Sequence, residues 1–329
     1  MHEHLSEKEN MLRALRGEIP EYVPHLRSMR WTLPSGLNYA WGESEFKTLY
    51  GVTFVSEKTA GGGALPKPGD FILDDIRKWR DVIKRPPILD EIDWEKTAKM
   101  DLDKHDPNQL KVYSSSISFG YFQGLMSFMG FTNGLIACAE EPEEVKELLH
   151  FLLDINLDIG KNIIKYYKPD VYNMGDDIAH EHSPFVSLDV FLDIFEPMWR
   201  AEVAPFVDAG VPAEHHNCGK FEAFLPYVVD MGYNAWEPAQ HSNDILGIKE
   251  KYGRKLMIGT GVQSNGFVSW PETTEEQVRA EVRRVMDLYA PGGGYCFAGG
   301  ILGPLGDEET AKRNEWISDE YEKNKFKYY

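Results

Sequence analysis

His216 and Cys218 stand two residues apart in Glu214-His215-His216-Asn217-Cys218-Gly219, and Cys296 follows far downstream. On an extended segment residues two apart point to the same side, so this imidazole and thiol can share one ion. With a second thiolate arriving from a distant strand, the set suits zinc and leaves a fourth position open for substrate. A second group is Asn173-Met174-Gly175-Asp176-Asp177, whose two carboxylates offer a metal ligand, a general acid or a helix cap. Glu181 and Glu237 are alternative oxygen ligands. His180, His182 and His215 read as loop or packing histidines, and Cys138, inside Leu135-Ile136-Ala137-Cys138-Ala139, as a core helix residue. The run Phe119-Gly120-Tyr121-Phe122 through Met126, Phe128, Met129 and Phe131 reads as core or barrel-top packing or, with Trp31, as the wall of an apolar slot wide enough for a ring. Trp31, Tyr121, Phe122 and Gln263 are therefore the expected substrate pocket.

These groups need a scaffold that gathers them. From about Lys111 short β-rich runs alternate with helical ones: Lys111–Ser118, Asp170–Met174, Val211–His215, Tyr233–Trp236, Lys255–Ile258 and Gly292–Phe297 read as strands. Between them Glu143–Lys165, Asp189–Ala209, Phe221–Met231, Ile245–Tyr252 and Glu275–Tyr289 read as helices. The first of these turns Val145, Leu148, Leu149, Leu152 and Leu153 inward. Strands alternating with helices imply a parallel sheet, and this many units in 329 residues favour closure into a single (β/α)₈ TIM barrel. Working residues of that fold sit where strands end, which is where the polar groups above fall. Residues 1–329 are thus expected to form one domain. Its regular units span 111–329, and 1–110 supply helices and loops covering the barrel. Glu7–Arg16 reads as an amphipathic helix, and Trp31–Pro107, with Gly61-Gly62-Gly63 and Pro86-Pro87, as long loops and short helices.

Composition narrows the partners. Asp and Glu number 53 against 35 Lys and Arg, a net charge of −18 that repels a phosphate backbone and makes nucleic acid an unsuitable partner. No apolar run is long enough to span a membrane, and the polar, acidic start Met1-His2-Glu3-His4-Leu5 lacks a signal peptide's pattern. Three cysteines give no disulfide framework. A cytoplasmic enzyme is expected.

At these residues the chain resembles the uroporphyrinogen-decarboxylase-like superfamily. The resemblance opens with Met11-Leu12-Arg13-Ala14-Leu15-Arg16-Gly17-Glu18-Ile19-Pro20 and Val23-Pro24. It is most specific from Asp176-Asp177 through Ser183-Pro184-Phe185 into His216-Asn217-Cys218-Gly219, and returns at Pro291-Gly292-Gly293-Gly294-Tyr295. Decarboxylases of that group carry an arginine-rich segment for substrate carboxylates; here the matching stretch keeps Arg27 and Arg30 only. The corrinoid-linked methyltransferases carry His-x-Cys and a distant Cys as zinc ligands, a pattern that His216, Cys218 and Cys296 resemble. In that branch the last cysteine often follows Pro-Gly directly. Here Gly293, Gly294 and Tyr295 intervene, which leaves Glu237 or Asp177 as substitute third ligands. The resemblance implies zinc and a cobalamin supplied by a partner corrinoid protein. It implies methyl transfer from a small methoxylated, aromatic compound, with Asp176 or Asp177 protonating the departing oxygen. Its alternatives are a methylcobalamin-dependent transferase to tetrahydrofolate or a thiol carrier, a cofactor-free decarboxylase, and a barrel that binds without chemistry.

Overall fold

The computed structural model describes residues 4–38, 44–57, 63–264, 266–304 and 306–329. The first helix, Glu7–Leu15, is capped by the Ser6 hydroxyl, which accepts the Glu9 N–H. It is followed by a three-stranded antiparallel sheet of β1 (Glu45–Lys47), β2 (Thr53–Glu57) and β3 (Gly63–Pro66). That sheet corrects the expectation of loops and short helices over Trp31–Pro107. Strands of three to five residues are too short for alternation to register. The short helices expected there do form, at Trp79–Val82, Ile88–Glu91 and Trp94–Leu102. Gly61 and Gly62 lie outside the described residues.

Six parallel strands then run in sequence order around one sheet: β4 (Val112–Tyr113), β5 (Val171–Gly175), β6 (Ala213–His216), β7 (Ala235–Glu237), β8 (Met257–Gly261) and β9 (Tyr295–Ala298). The N-terminal segment closes the ring between β9 and β4. Phe297 donates its N–H to Pro24 O (2.8 Å), Thr32 to Val112 O (3.0 Å), and Ser114 to Thr32 O (3.1 Å), with parallel bridges His25–Phe297 and Thr32–Tyr113. The fold is a TIM barrel whose first two staves are reduced to these bridges. Each expected strand from Lys111 onward is present: β4 is cut to two residues, and the other five start one to three residues later and end one to three residues later than expected. The helix Pro142–Asn162 buries all five residues expected to face inward. Among the described residues no helix is long and apolar enough to cross a membrane.

The two-residue alternation of the strands sorts side chains between two layers. Facing the helices are Tyr172, Met174, His215, Trp236 and Phe297. Facing inward at the strand starts are Val112, Val171, Ala235, Met257 and Cys296. Met11, Ala14 and Leu15 of the first helix join them in one apolar cluster and plug that end. Further along the same inward faces come Asn173, Glu214, His216 and Glu237, so the interior turns polar toward the strand ends.

His215 shows the outer layer's character. It is fully buried against Trp199, Phe221 and Tyr233, with neither ring nitrogen hydrogen-bonded, and burial followed by the neighbouring His216 charge lowers its pKa to about 3. Below the ordinary value of 6.5 the unfolded chain takes up a proton here and the folded chain does not. Stability therefore falls as pH drops from 6.5 toward 3, by up to about 1.4 kcal/mol per pH unit from this residue. His215→Phe should flatten the acid limb of the Tm-versus-pH curve; an unchanged slope would show that the histidine is not held neutral.

Candidate metal centre

Asp177 lies two residues beyond the end of β5, His216 ends β6, and Cys218 lies two residues beyond His216. One ligand atom from each of the three lies within 4.8 Å of the other two. His216 Nε2 is 3.8 Å from Asp177 Oδ1 and 3.9 Å from Cys218 Sγ. The carboxylate of Asp177 is held from both sides, by the Cys218 N–H on Oδ1 (2.7 Å) and by Gln123 Nε2 on Oδ2 (3.3 Å). The other nitrogen of the imidazole, Nδ1, faces Glu237 Oε1 at 2.5 Å. Of the two oxygen ligands anticipated as substitutes for Cys296, Asp177 stands beside the sulfur and Glu237 behind the ring.

Cys296 is not brought to this group. It is fully buried at the plugged end, in the cluster that holds Met11, Ala235 and Met257, and the side chain that reaches the mouth from β9 is Ala298. Burial, then Glu214 and Glu237, push its thiol well above its ordinary pKa. Cys296 thus lies one inward position short of the rim, which Ala298 occupies two residues later.

The acidic pair divides in the same way. Asp176 is fully buried and accepts four N–H groups at 2.9 Å: Tyr121 and Phe122 on Oδ2, Gln123 on Oδ1, and the Trp199 indole on Oδ2. Burial raises its pKa to about 7, with the four donors pulling the other way. Its carboxylate caps the helix Phe122–Met129 from another strand, so of the three roles expected for the pair Asp176 fills the cap and Asp177 alone faces the mouth. The close approach requires Gly120, at φ +89°, because a Cβ there would stand 2.6 Å from the Asp176 carboxyl carbon.

Two cavities meet at Asp177. The larger, about 820 Å³, is the barrel mouth, walled by small or apolar residues such as Ala239, Gly261, Ala298 and Gly299, with His216, Cys218, Gln240 and Gln263 among its polar groups. The smaller, about 340 Å³, is lined by Phe54, Leu65, Phe119, Phe122, Met126 and Phe131, and Gln123 and Asp177 are its polar end. Of the expected pocket residues, Gln263 lines the first and Phe122 the second. Tyr121 does neither: it is fully buried and its hydroxyl donates to Glu202. Trp31 packs against the core and lines neither cavity, since Thr32 beside it is held in the bridge to β4. Phe54 and Leu65 escaped the sequence reading because they come from the unrecognised N-terminal sheet. Gln123 was legible as the lone amide in the aromatic run.

The charge at this mouth is only partly compensated. Asp177, Glu237, Glu214 and Cys218 crowd one imidazole. Burial and then Glu237 raise Glu214 to about 8, and one Glu214 oxygen is buried without a hydrogen bond. Burial pulls His216 down, but Glu237, Cys218 and Asp177 together hold it well above the imidazole range. The one Lys or Arg among the described lining residues is Arg27, whose guanidinium pairs with Glu7 (2.8 Å) and Glu322 (2.9 Å). A carboxylate, an imidazole and a thiol with this surplus of negative charge fit a divalent cation such as zinc. His180, Glu181 and His182 are exposed on the adjoining loop, where His180 pairs with Ser183 (3.0 Å) and joins no donor cluster.

Cys218→Ala should reduce metal measured by elemental analysis to background while the circular dichroism of the barrel persists. Cys296→Ala and Cys138→Ala should keep it at wild-type stoichiometry. Full occupancy in Cys218→Ala, or loss in Cys296→Ala, would refute this ligand set.

Known proteins agree with the architecture. The family model for uroporphyrinogen decarboxylase (URO-D) matches residues 118–303, more than half the chain, spanning Gln123, Asp177, His216, Cys218 and Glu237. No curated protein matches the sequence significantly. Among solved structures, a methyltransferase from Methanosarcina mazei superposes with a TM-score of 0.62 over 97% of this chain and 100% of its own, at 15% identity, a likeness of fold. The chain belongs to the uroporphyrinogen decarboxylase (URO-D) family.

Proposed function

We propose that this chain is a zinc-dependent methyltransferase that moves a methyl group from a small methoxylated aromatic compound to the cob(I)alamin of a separate corrinoid protein. The observation that carries the reading is the Asp177, His216 and Cys218 donor set at the barrel mouth. The fold neighbour named as a methyltransferase supports it. The rival, cofactor-free decarboxylation of a polycarboxylate, is disfavoured by a mouth cavity whose one lysine or arginine among the described lining residues, Arg27, is paired with Glu7 and Glu322. Residues 1–329 work as one cytoplasmic barrel domain, its first 110 residues supplying helices and loops that cover the barrel.

Asp177, His216 and Cys218 would hold the ion, and zinc bound by them would polarise the ether oxygen as a Lewis acid. The remaining work belongs to the chain. Phe54, Phe119, Phe122 and Phe131 form an apolar lobe of about 340 Å³, the scale of a substituted benzene ring with space around it. A ring seated there directs its polar substituent to the one polar end, Gln123 and Asp177, and so toward the donor set. The Gln123 amide holds Asp177 and keeps hydrogen-bonding capacity for a ring substituent. The small residues of the mouth leave it wide enough for a flat macrocycle to approach, and an occluded mouth keeps water from the reacting carbon. In the transfer itself the electron pair of cob(I)alamin forms the carbon–cobalt bond as the carbon–oxygen bond breaks. Its electrons stay on the aryl oxygen, which takes a proton from water. With Asp176 occupied as a cap, no buried acid is assigned to that proton.

No side chain at the mouth is left to accept a methyl group once the thiol is a ligand. Incubation of the zinc-loaded protein with a panel of methoxyarenes should give no demethylation alone. With reduced cobalamin it should yield the phenol and methylcobalamin together, and stop when cobalt is oxidised. Turnover of any panel member without a corrinoid would sink the methyltransferase reading.

A further inference from the structure

Glu237 ends β7 and is the ladder partner of His216 on β6. Its side chain is 12% exposed, and the contact to His216 Nδ1 at 2.5 Å is the one hydrogen bond of its carboxylate among the described residues. The neighbouring strand leaves room for it: a Cβ on Gly259 would stand 2.6 Å from the Glu237 Cβ. A neutral imidazole carries one N–H. Donated to Glu237 from Nδ1, it leaves Nε2 as a lone pair, the nitrogen that faces Asp177 and Cys218.

We infer that Glu237 is a positioning residue for the metal, fixing the tautomer and orientation of His216 from behind, in a slot that Gly259 keeps open. The inference rests on the metal reading above. It also assigns Glu237 away from the coordination sphere, because binding the ion directly would require the carboxylate to abandon Nδ1. A ligating histidine whose second nitrogen is held by a carboxylate is oriented and made more basic, and removing that partner weakens metal binding by about 10–100-fold. Gly259 then has a functional reason to lack a side chain.

The test uses the intact protein and two probes, zinc affinity by competition with a chromophoric chelator and the visible spectrum of bound Co²⁺. Glu237→Gln keeps an oxygen to accept the Nδ1 proton, so it should bind zinc close to wild type with an unchanged Co²⁺ spectrum. Glu237→Ala should still bind one ion, about 10–100-fold more weakly. Gly259→Ala should weaken binding in the same direction. Melting temperatures separate lost binding from lost fold, and the glutamine variant decides the matter should Gly259→Ala not fold. Wild-type affinity in Glu237→Ala would overturn the positioning role. A changed Co²⁺ spectrum in Glu237→Gln would overturn it differently, by making Glu237 a ligand. Wild-type protein that binds neither ion would instead overturn the metal reading, and this inference with it.

Discussion

The carboxylate of Asp176 gathers three backbone N–H groups from the start of the helix Phe122–Met129 and one indole N–H from Trp199, and the geometry of the mouth follows from that attachment. A helix N-terminus leaves N–H groups unpaired and carries a partial positive charge, so a buried carboxylate and the helix start satisfy each other. Once Asp176 is turned into the wall, the next residue, Asp177, is turned to the mouth. The third capped residue, Gln123, then places its amide on Asp177. Tyr121, in the same turn, is tied to Glu202 together with Tyr172, Ser115 and Asn156, which anchors the turn to three other elements and to the segment after β4. Buried polar networks of this kind hold one arrangement because any alternative leaves a charge unpaired.

Charge explains the rest of the site. A chain with a net charge of −18 places Asp177, Glu237, Glu214 and Cys218 around one imidazole in a largely enclosed barrel end. Such a group is stable only if it is protonated, paired or coordinated to a cation. The nearest arginine of the mouth is committed elsewhere, so a divalent ion is the simplest way to balance it. A carboxylate in place of a second thiolate makes the donor set harder, which suits activation of oxygen. Under the proposed function, the aromatic lobe opening at Asp177 would seat the kind of molecule that carries such an oxygen.

The barrel was legible because its units repeat. Helices such as Pro142–Asn162 carry long apolar stripes, and each strand from Lys111 onward is a short run between turn signals. The N-terminal sheet was not legible: β1 to β3, at three to five residues, are too short to show a period. In the site, His216 and Cys218 could be paired from sequence because two-residue spacing on a strand end is local information. Cys296 could not be placed, since its height on β9 depends on the register of distant strands and on where Ala298 falls. The same holds for Asp176 and Asp177, adjacent residues whose roles are set by a helix some fifty positions away. Tyr121 and Trp31 have the composition of a binding pocket, but a hydrogen bond to Glu202 and packing against the core take them out of it.

X-ray absorption at the zinc edge of the loaded protein tests the donor set most directly. A single sulfur scatterer at about 2.3 Å, with the remaining first-shell atoms nitrogen or oxygen at about 2.0–2.2 Å, is the predicted first shell. Two sulfur scatterers would bring Cys296 into the site, and a shell with none would exclude Cys218; either would contradict the centre built from Asp177, His216 and Cys218.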